Sequence, residues 1–224
     1  MSEQVRDRDT RIFLRPIGNP LPMGFVGLAG ATTMLSGLQL GWLPVIDSSQ
    51  VGLVIVLVAV PLQIIASIMG YLARDPVAAT GVGTLAVSWL TIGVLTMLGP
   101  AGSRSKVLGL VLFYLAAAVL VSAVIAAFGK VIAAVVLALT SARYVFTGVY
   151  QYFGGMTWSH ISAWIGVALA AVAIYAVAAL ELESLLHRTV LPTLRRGSGL
   201  VAISGRGMEP VGDPVHEAGV RDQL

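Results

Sequence analysis

One arginine, Arg143, lies well inside a long apolar stretch, where a charge is costly unless it faces a cavity or finds a partner. A guanidinium binds carboxylates through two parallel hydrogen bonds, so Arg143 is a candidate site for an anionic substrate. Alternatively, its helix is tilted or offset and Arg143 reaches the membrane interface, where Tyr144, Tyr150 and Tyr152 would form an aromatic belt. These tyrosines favour the interfacial interpretation, and the residues leave both open.

A second candidate site is the segment Asn19-Pro20-Leu21-Pro22-Met23-Gly24, just before the first apolar stretch. Two prolines spaced by one residue enforce an extended backbone with few donors. Such backbone is tolerated at membrane depth only where it is buried in protein or lines a cavity. The helix N-terminus that follows has unpaired N–H groups and a positive dipole end, which suit a carboxylate. An ordinary membrane-entry turn explains the segment equally well.

Three further polar residues lie in or near the apolar stretches. Gln63, in the middle of the second stretch, can donate and accept hydrogen bonds between helices. Glu181 and Glu183 would suit a proton relay, although their place near Arg188 favours a solvated helix end. Three histidines without a cysteine provide no metal-ligand spacing, and no hydrolase, zinc-protease or phosphate-loop motif occurs. We therefore expect no enzyme activity, no metal and no cofactor.

The composition requires lipid as the solvent for most of the chain. Hydrophobic residues make up 57% and charged residues 11% of the sequence, whereas a soluble domain carries roughly 25% charged residues. A membrane span needs about 20 consecutive apolar residues. Six stretches qualify, at 23–43, 51–73, 77–98, 107–128, 131–150 and 161–186. The sequence therefore predicts an all-α polytopic membrane protein with six transmembrane helices.

The distribution of lysine and arginine predicts the orientation. An even number of spans places both termini on one side, which would also hold the larger set of basic residues: Arg6, Arg8, Arg11, Arg15, Arg74, Lys130, Arg188, Arg195 and Arg196. The opposite side would hold Arg104 and Lys106, whose loop has the wrong sign. Because positive loops stay inside, we expect cytoplasmic termini and a multi-pass protein of the cell inner (plasma) membrane. No basic-aromatic patch indicates nucleic-acid binding.

Three parts follow from this reading: a cytoplasmic N-terminal segment (1–18), a six-helix transmembrane domain (19–191) and a cytoplasmic tail (192–224) that we expect to be disordered. Small residues recur along the spans, for example Gly24, Gly27 and Gly30 in the first and Gly166 in the sixth. They allow close helix packing in lipid, which we prefer to a pore-lining role.

The segment that begins at Asn19 resembles the signature Asn-Pro-Ala-Pro-Leu-Gly of the acetate uptake transporter family, the YaaH-type succinate–acetate permeases. The last span adds matching stretches, namely Trp164-Ile-Gly, Ala173-Ile174-Tyr175 and Arg188-Thr-Val-Leu-Pro192, and the middle adds Thr32-Thr33, Gln63 and Trp89-Leu-Thr91. The resemblance covers about residues 19–192. It implies a ring-like homohexamer in the lipid bilayer, with a pore in each subunit for acetate, succinate or similar monocarboxylates.

The resemblance also implies site residues. Asn19, Pro20, Pro22 and Gly24 correspond to a substrate entrance. The family narrows its pore with Phe, Tyr and Leu, and the matching positions here are Leu28 or Ala29, Leu85 and Ala142. We therefore expect a wider constriction, lined by these residues and by Thr32, Gln63 and Arg143. The family's Glu after its second helix is Gly70 here. These departures leave a second possibility, a non-conducting structural or accessory membrane subunit that keeps the fold.

Overall fold

The structure is a computed structural model that describes residues 18–186 and 188–195; residues 1–17 and 196–224 of the expected cytoplasmic segments, and His187, lie outside the described residues. Its six long helices are α1 (Leu21–Gln39), α2 (Ser48–Leu72), α3 (Gly83–Leu98), α4 (Lys106–Ala127), α5 (Val131–Phe153) and α6 (Met156–Leu186). A 3-10 turn (Val45–Asp47) precedes α2, and a π-helical turn (Val77–Val82) leads into α3. Each unit is long and apolar enough to cross a membrane, so the predicted all-α, six-helix fold is confirmed.

The helix ends follow the local backbone chemistry, and several of them differ from the predicted limits. Helix α1 ends at Gln39 rather than at residue 43, because the chain turns at Gly41, which has a φ of +74°. Helix α6 begins at Met156 rather than at residue 161, directly after Gly154 and Gly155 with φ of +89° and +93°. Glycine tolerates these left-handed conformations, so both turns are tighter than hydropathy alone indicates.

The six helices form a closed bundle, in which each helix packs on the next along the chain and α6 packs back on α1. Successive helices run in opposite directions. The start of α1 and the end of α6 therefore lie on one side, together with the α2–α3 and α4–α5 turns; we call this the terminal face. The α1–α2, α3–α4 and α5–α6 loops lie on the opposite face.

Glycines bring neighbouring helices into backbone contact. A Cβ added at Gly52 would lie 2.5 Å from the carbonyl oxygen of Gly93, which joins α2 to α3. A Cβ added at Gly109 would lie 3.0 Å from the carbonyl oxygen of Gly148, which joins α4 to α5. In lipid, where packing rather than water exclusion drives helix association, such approaches stabilise the bundle. They support a packing role for these small residues.

Ion pairs and a backbone bridge connect three parts of the terminal face. Asp75 accepts hydrogen bonds from the N–H groups that open the π-helical turn and forms an ion pair with Lys130 in the α4–α5 turn. Lys130 forms an antiparallel backbone bridge with Arg195, which in turn pairs with Glu183 near the end of α6. We call Asp75, Lys130, Glu183 and Arg195 the terminal clasp. Because residues 188–195 fold back here, Glu183 is only 5% exposed, and the solvated helix end expected for it is wrong.

Candidate functional site

Arg143 lies on the inner side of α5 and is fully buried. Its Nη1 donates a hydrogen bond to the carbonyl oxygen of Thr32 (3.1 Å), and its Nη2 donates to the amide oxygen of Gln39 (3.3 Å), both on α1. The guanidinium therefore lies inside the bundle and is not exposed on its surface, contrary to the interfacial interpretation. Within residues 18–186 and 188–195, no ion pair includes Arg143, so its charge is balanced by neutral dipoles alone.

An aromatic pair covers the guanidinium. The Cζ atom of Arg143 lies 5.7 Å from the ring centroid of Trp89 on α3, within cation–π range. Trp89 in turn makes an edge-to-face contact with Tyr144, with centroids 6.1 Å apart. Both rings are buried, and a cation–π contact away from water is stronger than one on the surface. Helices α1, α3 and α5 therefore all contribute to holding one cation at the centre of the bundle.

Several polar atoms around Arg143 have no hydrogen-bond partner in the described part of the chain. They include Nε of Arg143 itself, Nε1 of Trp89 and Oγ of Ser36. Leaving such a buried group unsatisfied costs about 1–3 kcal/mol. The two nitrogens are donors only, and the serine hydroxyl can donate. An anion could accept hydrogen bonds from these unused donors and balance the charge of the guanidinium.

Gly166 on α6 provides the space for this cluster. A Cβ at position 166 would lie 2.5 Å from both Cζ and Nη1 of Arg143, and would also collide with Oγ of Ser36. The hydroxyl of Ser162, one turn earlier on α6, donates to the carbonyl oxygen of Arg143 (3.4 Å) and is hydrogen-bonded to Thr147 (2.5 Å). The arginine is thus enclosed by α1, α3 and α6 at positions where small or polar residues allow it.

A cavity of about 450 Å³ opens at the opposite face and leads towards this cluster. Gln39 and Thr147 line the cavity, and both also belong to the hydrogen-bonded surroundings of Arg143. Arg104 lines it near the α3–α4 loop, and no described lining residue is acidic. The volume is in the range of small-ligand pockets. An arginine in a described lining that contains no acidic residue makes the cavity more attractive to anions than to cations.

The predicted pore residues separate into layers along the bundle. Thr32 and Arg143 meet directly, as described above. Leu28 lies one helical turn from Thr32 towards the terminal face, and Leu85 lies one turn from Trp89 in the same direction; both are fully buried. Ala29 is also buried, whereas Ala142 is half-buried at the edge of the inner side of α5. An apolar layer therefore follows the arginine layer.

The other predicted site residues lie nearer the terminal face. The amide nitrogen of Gln63 donates to the carbonyl oxygen of Gly24 (3.4 Å), so these two residues form a group separate from Arg143. Oδ1 of Asn19, the residue before the N-cap Pro20, accepts a hydrogen bond from the N–H of Leu21 (3.1 Å), the first residue of α1. Pro20 and Pro22 are buried. The segment therefore begins α1 with one of its N–H groups already satisfied.

Sequence reasoning missed Ser36, Gln39, Trp89 and Gly166 as members of the site. Ser36 and Gln39 follow Thr32 at spacings of four and seven residues, which places all three on one face of α1. That spacing was a usable signal for a polar stripe. No comparable signal marks Trp89 or Gly166, because each lies on a different helix and is apolar or small.

No family model and no curated protein matches the chain. Among solved structures, the chain is similar to the bacterial acetate channel SatP, with a TM-score of 0.70 and 23% sequence identity. The match covers 79% of this chain and 98% of that chain, so it includes nearly the whole channel subunit. The six-helix bundle is therefore similar in fold to the bacterial acetate channel SatP, in agreement with the family resemblance of the sequence motifs.

Proposed function

We propose that the protein is a membrane channel or transporter for small organic anions, of the type of acetate, succinate or similar monocarboxylates. The observation that carries this proposal is the buried guanidinium of Arg143, which has no acidic partner among the described residues and has unused donors beside it. The similar structure is named as an acetate channel, which supports the same class of substrate. A carboxylate accepts hydrogen bonds from a guanidinium and balances its charge.

The proposed path begins in the cavity at the opposite face. From there an anion meets Arg143, then the apolar layer of Leu28 and Leu85, and then the group of Gln63 and Gly24. The entrance proposed at Asn19 completes the path on the terminal face. Because Leu28 and Leu85 are fully buried, passage requires these side chains to separate. This step supports a gated pore or a carrier rather than an open channel.

The orientation and assembly belong to the same proposal. Lys130, Arg188 and Arg195 lie on the terminal face, and Arg104 and Lys106 lie on the opposite face. The positive-inside rule then favours a cytoplasmic terminal face in the cell inner (plasma) membrane. The family resemblance supports a ring-like homohexamer. A mass measurement in lipid nanodiscs tests the assembly, and a monomer alone would contradict it.

A non-conducting accessory subunit is the second candidate. The packing at Leu28 and Leu85 favours it, because both side chains are fully buried inside the bundle. In this case Arg143 would be a structural residue, held by Thr32 and Gln39.

Anion flux in proteoliposomes separates the two candidates. We expect saturable acetate uptake by the wild-type protein and a loss of more than about tenfold in Arg143→Gln, since one lost charge-assisted contact of about 1.5–3 kcal/mol corresponds to a factor of that order. Arg188→Gln, which removes an exposed arginine at the end of α6, is the matched control and should transport normally. If the wild-type protein transports none of the tested carboxylates, the accessory subunit is the better explanation.

A further inference from the structure

Gln39 lies between the cavity and Arg143. Gln39 is one of the residues that line the cavity, and its amide oxygen accepts the hydrogen bond from Nη2 of Arg143. Gln39 is the last residue of α1, followed by a turn at Gly41, so its side chain projects from a helix end rather than from a packed helix interior. An anion that enters from the opposite face therefore reaches Gln39 before it reaches the guanidinium.

The Gln39 bond occupies only part of the edge that arginine offers to carboxylates. A guanidinium binds a carboxylate side-on through Nε and Nη2. In Arg143, Nη1 is held by Thr32, Nη2 contacts the neutral Gln39 at 3.3 Å, and Nε has no partner among the described residues. Of the two donors on this edge, Nη2 is therefore bonded to a neutral group and Nε is unused.

The same molecule contains the fully used version of this edge. In the terminal clasp, Nε and Nη2 of Arg195 donate to Oε2 of Glu183 at 3.0 Å and 2.7 Å. These distances are shorter than the Arg143–Gln39 distance, as expected when the acceptor carries a charge. The comparison indicates what the Arg143 edge lacks, namely a carboxylate that takes Nε and Nη2 together.

We propose that Gln39 is an exchangeable ligand of Arg143, which a small carboxylate displaces when it binds; this inference rests on the proposed function. The incoming carboxylate takes the Nε–Nη2 edge, Nη1 stays on the carbonyl oxygen of Thr32, and the Gln39 side chain turns into the cavity. The edge accommodates one planar carboxylate group. A spherical anion such as chloride can bridge the two N–H groups but lacks the second oxygen of a planar carboxylate, so we expect it to bind this edge more weakly.

Trp89 allows binding to be measured without transport, because its ring lies against Arg143. The reporter is a variant in which Trp42, Trp158 and Trp164 are replaced by phenylalanine. Purified protein is titrated with sodium acetate, with sodium chloride as the ionic control. We expect saturable quenching or enhancement with acetate, and a change with chloride only at higher concentrations.

Three variants in this background test Gln39. Gln39→Ala removes the competing ligand, worth about 0.5–1.5 kcal/mol, so acetate should bind about two- to tenfold more tightly. Gln39→Glu supplies a tethered carboxylate and should weaken acetate binding by more than about tenfold. Gln151→Glu adds the same charge to the same cavity, where Gln151 contacts the N–H of Ser105 instead, and should weaken binding less than about threefold.

Each result decides the inference. If Gln39→Ala binds acetate equally or more weakly than the parent variant, Gln39 has a merely structural role and the inference is overturned. Equal effects of Gln39→Glu and Gln151→Glu would overturn it in the same way. Absence of saturable acetate binding would also overturn it. Size-exclusion chromatography checks that the variants are folded, and the alanine variant alone suffices if the glutamate variant is not. Binding with the expected Gln39 dependence but without flux would instead refute conduction and leave the exchange at Arg143 intact.

Discussion

Gly166 on α6 faces the guanidinium of Arg143 on α5 so closely that a methyl group at position 166 would lie 2.5 Å from Cζ. The same methyl group would collide with Oγ of Ser36 on α1. One missing side chain thus allows three helices to meet at a buried charge. The position of the guanidinium therefore depends on the lack of a side chain at Gly166 as well as on its hydrogen bonds to α1.

Gly166→Ala is therefore expected to displace Arg143. Overpacking of this kind costs about 1–3 kcal/mol, so the thermal midpoint in detergent should fall and acetate flux should fall with it. Gly30→Ala is the matched control, because a Cβ there would meet only Val58 at an ordinary 3.4 Å. If the clash with the guanidinium is the cause, Arg143→Gln should recover part of the stability of Gly166→Ala. Additive losses in the double variant would contradict this explanation.

Glu183→Gln should open the terminal clasp. The variant leaves the partly exposed Arg195 without its ion pair. Removal of one partner from a fully buried pair costs about 3–5 kcal/mol, so we expect a smaller loss here. We expect faster hydrogen exchange and proteolysis in residues 188–195. Glu181→Gln, two residues away and exposed, should change neither property. Equal protection of the segment in both variants would show that Thr189 and Thr193 hold it without the ion pair.

Leu85→Tyr should narrow the apolar layer. Leu85 is fully buried, so the added ring must occupy the interior and reduce the size of the anions that pass. In a flux series of formate, acetate, succinate and citrate, the variant should lose the largest anions first. Ala142→Leu, at a half-buried position, should have the smaller effect alone and add to it in the double variant. An unchanged size limit in all three would exclude Leu85 and Ala142 from the constriction.

Two substitutions at Asn19 separate an entrance from a helix cap. Asn19→Ala removes the acceptor for the N–H of Leu21 and should cost about 1 kcal/mol of stability. Asn19→Asp keeps that acceptor but adds a negative charge at the proposed anion entrance. We expect reduced acetate uptake by both variants, with normal stability and assembly only for Asn19→Asp. Full uptake by Asn19→Asp would show that Asn19 only accepts the hydrogen bond from the N–H of Leu21 and is not part of the entrance.

The sequence alone was sufficient to predict the six-helix fold, because spanning a bilayer depends on the length and apolarity of each segment and on little else. The segment that begins at Asn19 also predicted the similarity to an acetate channel. The sequence identified Arg143 as a buried charge that needs a partner, but it did not identify that partner. Both interpretations of Arg143 matched the same local residues.

The tertiary structure decided how each helix is rotated and which polar groups meet. Gln63 bonds with Gly24 rather than with Arg143, and Gln39 reaches Arg143 across 104 positions of the chain. Such choices are not encoded in hydropathy, because these helices are apolar on the lipid side and on the inner side alike. In lipid, the rotation of a helix is set by close packing and by interhelical hydrogen bonds, and both depend on several helices at once.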